Sequence, residues 1–129
     1  MRDHEFRILG PIELWSAGQQ YDLGSARSRV LLAVLLLAPR TVVPAETLID
    51  RLWDTRPPRK VQNSLFAYVS RLRGSLRQAL GDGVQLHGHT GGYVLNADPE
   101  TIDVHRFRVK DISARMPMQL NAVAEGLAQ

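Results

Sequence analysis

The side chains best suited to chemistry in this sequence are the basic ones between residues 51 and 80. This segment holds seven arginines and lysines and a single acid, Asp54, so its net charge is +6. The whole chain carries +3, which leaves −3 on the remaining residues. A cationic segment on an otherwise acidic chain indicates a polyanionic partner, although an ordinary solvated surface would also account for it.

Groups that could support catalysis or metal binding are few. His87 and His89 are separated by one residue on a predicted strand, a spacing that allows both rings to lie on one face as metal ligands. The sequence places no third ligand near them. Ser64, Ser70 and Ser75 have no base at a telling spacing, and the chain has no glycine loop of the P-loop kind. We therefore predict no enzyme activity, no cofactor and no bound metal.

Length and composition point to one folded domain, followed at most by part of a second. The chain has 129 residues, of which 44% are hydrophobic, and it contains no cysteine. A disulfide scaffold and a thiolate metal site are thereby excluded. The longest apolar run, at residues 30–38, is far shorter than the roughly 20 residues of a membrane span and predicts a buried helix. The absence of cysteine fits a reducing cytoplasm, and no signal-peptide pattern opens the chain.

The first third of the chain changes from strand patterns to helix patterns. Residues 6–23 alternate apolar and polar positions around glycine-containing turns, which predicts a small antiparallel sheet. Ser25 is the predicted N-cap of a first helix that stops at Pro39. A brief strand is predicted at 41–43, and Pro44 is placed in the first turn of a second helix.

The third helix is predicted from about residue 59 to residue 80 and has two unlike sides. At about 100° per residue its apolar positions share one side, which we assign to the core: Val61, Leu65, Tyr68, Val69, Leu72, Leu76 and Leu80. The opposite side carries a stripe of small residues: Asn63, Ala67, Ser70 and Gly74. Between residues 59 and 80 there is no acid. Such a face predicts close approach to a polyanion, whereas close packing on another protein is the alternative.

The remaining pattern is a hairpin followed by further helix. Alternating segments at 84–87 and 93–97 are joined by a glycine-rich stretch at 88–92, which predicts a β-hairpin. Asp103 is the expected cap of a new helical pattern, and a second short helix is expected within 118–129. The order of elements predicts an α+β fold: a winged helix-turn-helix with an N-terminal antiparallel sheet, three helices and a C-terminal hairpin wing, followed by a short helical segment.

In a helix-turn-helix the second helix of the pair enters the DNA major groove, which is about 12 Å wide. Small side chains at the centre of its exposed face allow the helix axis to approach the base edges. Asn63 and Ser70 supply short hydrogen-bonding groups there, while arginines and lysines on either side can reach phosphates. The stripe therefore predicts a surface that inserts into a DNA groove.

Five blocks of the sequence resemble successive blocks of the Streptomyces antibiotic regulatory protein family. They are "FRILGPIEL", "LGSARSRVLLAVLLLA", "VVPAETLIDRLW", "NSLFAYVSRLRGSL" and "GGYVLNADPETIDVHRF", and together they span about residues 6–108. The block "YVSRLR" followed by "GYVL" is the most specific part of the match. The resemblance implies an OmpR-type winged-helix DNA-binding domain at 1–98 and the start of a helical bacterial transcriptional activation domain at 99–129.

The same resemblance implies a transcriptional regulator. Family members activate genes, so the expected role is an activator of secondary-metabolite (antibiotic) biosynthesis genes. The partners implied are double-stranded DNA with direct repeats near promoters, bound by two copies side by side, and the RNA polymerase holoenzyme. The expected location is the bacterial cytoplasm, in association with the nucleoid and without a membrane partner. A winged helix that binds only protein is the alternative, and a steep salt dependence of nucleic-acid binding would distinguish the two.

The resemblance also carries over to particular residues of the third helix and the wing. Arg73 lies on the flank beside Phe66, where it is expected to meet the DNA backbone. His89 stands where the wider family often carries an arginine that enters the minor groove. Independently of the resemblance, Arg27 and Arg29 lie in the first turns of a helix, where positive charge is unfavourable against the helix dipole. This placement hints at a phosphate partner, although solvated arginines at a helix start are the commoner case. The predicted DNA-binding set is Arg27, Arg29, Arg59, Lys60, Asn63, Ser64, Ala67, Ser70, Arg71, Arg73, Arg77, His89 and Thr90.

Overall fold

The computed structural model describes residues 4–106 of the chain. Its strands are β1 (His4–Arg7), β2 (Glu13–Ser16), β3 (Gln19–Tyr21), β4 (Val43–Pro44), β5 (Gln85–His89) and β6 (Gly92–Asn96). Its helices are α1 (Ala26–Leu37), α2 (Ala45–Leu52), α3 (Val61–Leu80) and α4 (Asp103–Arg106), with a 3₁₀ turn at Pro99–Thr101. The strands form two antiparallel sheets, ordered β1-β2-β3 and β4-β6-β5.

The N-terminal sheet confirms the strand pattern of residues 6–23. Phe6 of β1 is opposite Leu14 of β2, and both side chains are fully buried. Ala17 and Gly18 form the turn between β2 and β3, both with positive φ, where a glycine costs least. One face of this sheet therefore covers the helical core, as the alternation of apolar residues predicts.

Helix α1 is the central helix of the core. Ser25 is its N-cap, and the Ser25 hydroxyl oxygen accepts a hydrogen bond from the Ser28 backbone N–H at 3.3 Å. The helix packs against both α2 and α3. Its fully buried side chains are Leu31, Leu32, Leu35 and Leu36. The capping residue and the stop before Pro39 are as the sequence predicts.

The second and third helices start slightly later than the sequence predicts. Pro44 lies in β4 and precedes the first residue of α2, because its extended ψ of 144° is not helical. The third helix begins at Val61, two residues after the predicted start at Arg59, and Gly81 follows its last residue with a positive φ of 61°. The predicted inner face is confirmed: Leu65, Val69, Leu72 and Leu76 are buried, and Val61, Tyr68 and Leu80 are half-buried.

The C-terminal hairpin forms the wing, and its turn is tighter than the predicted stretch of 88–92. His89 pairs with Gly92, so the turn consists of Thr90 and Gly91 alone. Strand β4 pairs with β6 on the other side, and a side chain at Gly92 would collide with the carbonyl oxygen of Val43. A glycine is therefore required where the wing meets β4.

Residues 99–105 pack onto the winged helix rather than away from it. Ile102 bridges to Phe6 of β1, and both are fully buried. The Asp103 carboxylate accepts hydrogen bonds from the backbone N–H groups of Ile8 and Leu9, at 2.9 and 3.2 Å. The sequence predicts Asp103 as the cap of a helix, but Asp103 is instead the first residue of α4, and the amide partners of its carboxylate lie just after β1.

The compact unit thus continues past residue 98, the predicted end of the first domain. The assignment of residues 99–129 to the start of an activation domain stays a prediction. The short helix expected within 118–129 lies outside the described residues.

Candidate nucleic-acid interface

The exposed side of α3 presents the predicted stripe of small residues. Asn63, Ser70 and Gly74 are exposed, and Ala67 is half-buried. They lie on the side of the helix opposite its buried leucines. Because α3 is a regular helix of 20 residues, the two sides stay about half a turn apart along its whole length. The stripe is therefore a continuous, shallow surface along the helix.

Basic side chains surround this stripe. Lys60 precedes the first turn of α3, Arg71 lies beside the middle of the stripe, and Arg77 lies in the last turn; all three are exposed. Arg59 is exposed just before the helix, whereas Ser64 is half-buried at the edge of the stripe. Because the segment 59–80 contains no acid, this cationic field is not neutralised within the helix.

Four side chains form a ladder of ring and guanidinium contacts on one flank of α3. The guanidinium carbon of Arg71 lies 5.5 Å from the Tyr68 ring centroid, and the Tyr68 ring meets the Trp53 ring edge to face at 5.8 Å. The guanidinium carbon of Arg27 lies 5.5 Å from the Trp53 ring centroid. The ladder joins the start of α1, the end of α2 and the exposed side of α3, so it holds Arg71 on a rigid support.

Two of the predicted phosphate ligands have partners within the chain. The Nε of Arg27 donates to the carbonyl oxygen of Leu52 at 3.1 Å, and Nη1 of Arg29 donates to that of Gly24 at 2.8 Å. These bonds explain why both arginines are tolerated at the start of α1, where the dipole disfavours them. A contact of Arg27 or Arg29 with DNA stays a prediction, and it would use the guanidinium N–H groups that do not make these bonds.

Arg73 connects the exposed helix to the wing. It is half-buried, and its Nε donates to the carbonyl oxygen of Leu86 on β5 at 2.9 Å. This bond joins α3 to the first strand of the wing, so it helps to fix the spacing between the two elements. The contact of Arg73 with the DNA backbone expected from the sequence stays a prediction.

The tip of the wing lies beside the first turn of α3. His89 and Thr90 are exposed, and with Gln62 and Glu46 they line an open cleft of about 860 Å³. The predicted wing residues and the start of the exposed helix are therefore on one side of the molecule. His87 is exposed on β5 as well, on the same face of the strand as His89. Among residues 4–106 no group of three or more potential ligands is placed to hold a metal ion.

The predicted DNA-binding set lacks several exposed residues of α3, and two of them adjoin the candidate site. Gln62 lines the cleft at the wing tip, and Phe66 is 58% exposed one turn further along. Gln62 is four residues before Phe66, and Phe66 is four residues before Ser70. This spacing is the signal that could have identified both, because it places residues on one face of a helix.

The chain combines an N-terminal sheet, three helices and a paired hairpin. The outer face of α3 carries small residues and exposed cations, and the hairpin lies beside it. This arrangement defines the winged helix-turn-helix class of transcription regulator. The chain belongs to the family described as "Transcriptional regulatory protein, C terminal", which matches residues 18–95. This is the OmpR-type winged-helix family that the resemblance implies. No helix within residues 4–106 is long and apolar enough to cross a membrane.

Known proteins similar to the chain are regulators of the Streptomyces antibiotic regulatory protein type. The regulatory protein AfsR of Streptomyces coelicolor is 39% identical over 90 residues, which cover 70% of this chain and 9% of AfsR. DnrI of Streptomyces peucetius is 31% identical over 109 residues, which cover 80% of this chain and 40% of DnrI. The family resemblance inferred from the sequence is confirmed.

A solved structure shows the same fold. The chain superimposes on Mycobacterium tuberculosis EmbR, solved in complex with a low-affinity phosphopeptide, with a TM-score of 0.74 and 31% identity. The match covers 83% of this chain and 28% of the EmbR chain. The chain thus spans well under half the length of AfsR, DnrI and EmbR, all of which are regulatory proteins.

Proposed function

We propose that this chain binds specific sequences of double-stranded DNA, with α3 in the major groove and the tip of the wing at the adjacent minor groove. The observation that carries the proposal is the outer face of α3. It combines small side chains at its centre with exposed cations around it, and it has no acid over 22 residues, from 59 to 80. A face of this kind allows close approach to base edges while its rim contacts phosphates.

The length and rigidity of the helix support this assignment. At 1.5 Å per residue, the 20 residues of α3 extend for roughly 30 Å, enough to cross a groove and leave both ends near the backbone. Buried leucines on its inner face and the Arg73 bond to Leu86 hold it in place relative to the wing. A contact surface on a rigid helix loses little conformational entropy when it binds DNA.

Membership of the family extends this proposal from DNA binding to a regulatory role. We infer that the protein is an activator that binds direct repeats near promoters as two adjacent copies, contacts RNA polymerase and acts on genes of antibiotic biosynthesis. One winged helix reads only a few base pairs, so a second copy adds both contacts and specificity. It would act in the bacterial cytoplasm, at the nucleoid.

The decisive experiment is selection of bound duplexes from random DNA, followed by sequencing. Specific binding predicts an enriched motif, arranged as a repeat if two copies bind side by side. The affinity for that motif should then fall steeply between low and physiological salt, with a slope of about −0.9 per phosphate contact. Binding that ignores both sequence and salt would instead support a winged helix that contacts only protein.

A further inference from the structure

Phe66 is the most exposed large apolar side chain among the described residues. It is 58% exposed, whereas Leu9 and Val42, the other two of this kind within residues 4–106, are each 37% exposed and lie outside the helices. A single apolar residue at the surface is ordinary in proteins, so exposure alone carries no function. What distinguishes Phe66 is its position on the cationic helix.

Phe66 lies on the flank of α3 that turns toward the wing. Four residues before it, Gln62 lines the cleft at the wing tip, and seven residues after it, Arg73 is bonded to β5. Two helical turns separate Phe66 from Arg73, so both project to the same side. Ser70, one turn after Phe66, belongs to the stripe that faces the proposed groove. Phe66 therefore lies at the border between the stripe and the wing.

We propose that Phe66 is a specificity-determining residue that contacts the C5-methyl group of a thymine in the major groove. The inference rests on the proposed function and deepens it by assigning one base type to one side chain. The thymine methyl is the apolar group that the major groove presents among hydrogen-bonding ones, and a phenyl ring is a suitable partner for it. Contact with the methyl would remove apolar surface of both partners from water.

The charges around Phe66 favour DNA over a protein as the occupant of this flank. Arg73 and Arg77 lie on the same flank, and no acid occurs on α3 to attract a complementary cationic surface. A protein partner would have to bury Phe66 while leaving these cations solvated or newly paired. A duplex supplies the apolar methyl and the phosphates together.

The test is a thermodynamic cycle that removes the methyl group from the DNA and the ring from the protein. After selection of the preferred duplex, each thymine is replaced in turn by deoxyuridine, which lacks only the methyl. Dissociation constants are then measured for the 129-residue chain, for Phe66→Ala and for Phe66→Leu. Leu9→Ala is the matched control, because it truncates an exposed apolar side chain outside α3.

The expected result is a loss of about fourfold in affinity at one thymine for the parent chain, as for burial of one methyl group. Phe66→Ala should show no loss at that thymine, and Phe66→Leu should keep part of it. Leu9→Ala should repeat the parent at every position. An unchanged parental pattern in Phe66→Ala would overturn the inference while leaving specific DNA binding intact.

Two other outcomes are distinguishable from that one. If the parent enriches no duplex, the proposed function fails and this inference fails with it. If Phe66→Ala lowers the cooperativity between two adjacent sites but keeps every deoxyuridine effect, Phe66 contacts a neighbouring copy of the chain, and the assignment to thymine is overturned.

Discussion

The guanidinium group of Arg71 lies over the ring of Tyr68, with 5.5 Å between the guanidinium carbon and the ring centroid. The two residues are three apart on α3, so they are neighbours on the helix surface. Tyr68 in turn rests against the buried Trp53. An exposed arginine of the candidate interface is thereby supported by the core.

Replacing Arg71 with alanine tests its place in the interface. If Arg71 pairs with a base, affinity should fall by about 1–3 kcal/mol and preference at one position should relax. If it contacts phosphate, all duplexes should weaken together and the salt slope should become shallower by about 1. Arg51→Ala, which removes an exposed arginine from α2, is the control. Unchanged affinity for every duplex would remove Arg71 from the interface.

Tyr68 should influence binding through Arg71. Tyr68→Leu removes the ring, and loss of a cation–π contact of about 0.5–1 kcal/mol should weaken DNA binding about twofold to fivefold. Tyr68→Phe keeps the ring and should bind nearly as well as the parent. Both variants are measured against the selected duplex, with thermal unfolding as the check on the fold. Equal weakening in the two would assign the effect to the hydroxyl group instead.

Leu72 tests which way α3 faces. Its side chain is 1% exposed, so Leu72→Ala should lower the free energy of unfolding by about 2–5 kcal/mol through lost burial and a cavity. Gln78→Ala, at an exposed position of the same helix, should change it by less than about 0.5 kcal/mol. Urea unfolding measures both. A stable Leu72→Ala protein that had lost only DNA binding would contradict the assigned faces.

Asp103 should stabilise the fold although it lies beyond the wing. Asp103→Ala leaves the N–H groups of Ile8 and Leu9 without their acceptors and should cost about 1–3 kcal/mol of unfolding free energy. Glu100→Ala, at an exposed position of the adjacent turn, is the comparison and should cost little. If both substitutions have the same small effect, the contact between residues 99–105 and the N-terminal sheet contributes nothing measurable.

The wing tip can be tested by adding a charge. His89→Arg places a permanent cation on the exposed tip, and a cation there should strengthen binding and steepen the salt slope by about 0.9 if it reaches one phosphate. Gln19→Arg adds the same charge at an exposed position of the N-terminal sheet. Equal gains from both substitutions would show a general effect of net charge rather than a contact made by the wing.

Helices and strands with a repeating apolar pattern are predictable from the sequence, because the pattern depends only on residues close together in the chain. The period of α3 assigned Leu65, Val69 and Leu72 to the core and left Asn63 and Ser70 outside, and the structure confirms that division. Helix propensity and amphipathicity act over a few neighbouring residues, so one sequence suffices to read them. The helix boundaries are not encoded as clearly, because Pro44 suits both the end of a strand and the start of a helix.

The contacts that join one element to another could not be read in the same way. The sequence does not predict that Arg73 donates to the carbonyl oxygen of Leu86, and the amide partners of Asp103 lie more than 90 residues away. Each bond forms only where the fold brings two distant segments together, and a periodic pattern in the sequence carries no information on that contact. The composition and the helical period of the sequence thus determine a cationic helix with one face exposed. Only the tertiary structure decides which charged side chains are held within the fold, because the packing of the hairpin engages Arg73 and the packing of residues 99–105 engages Asp103.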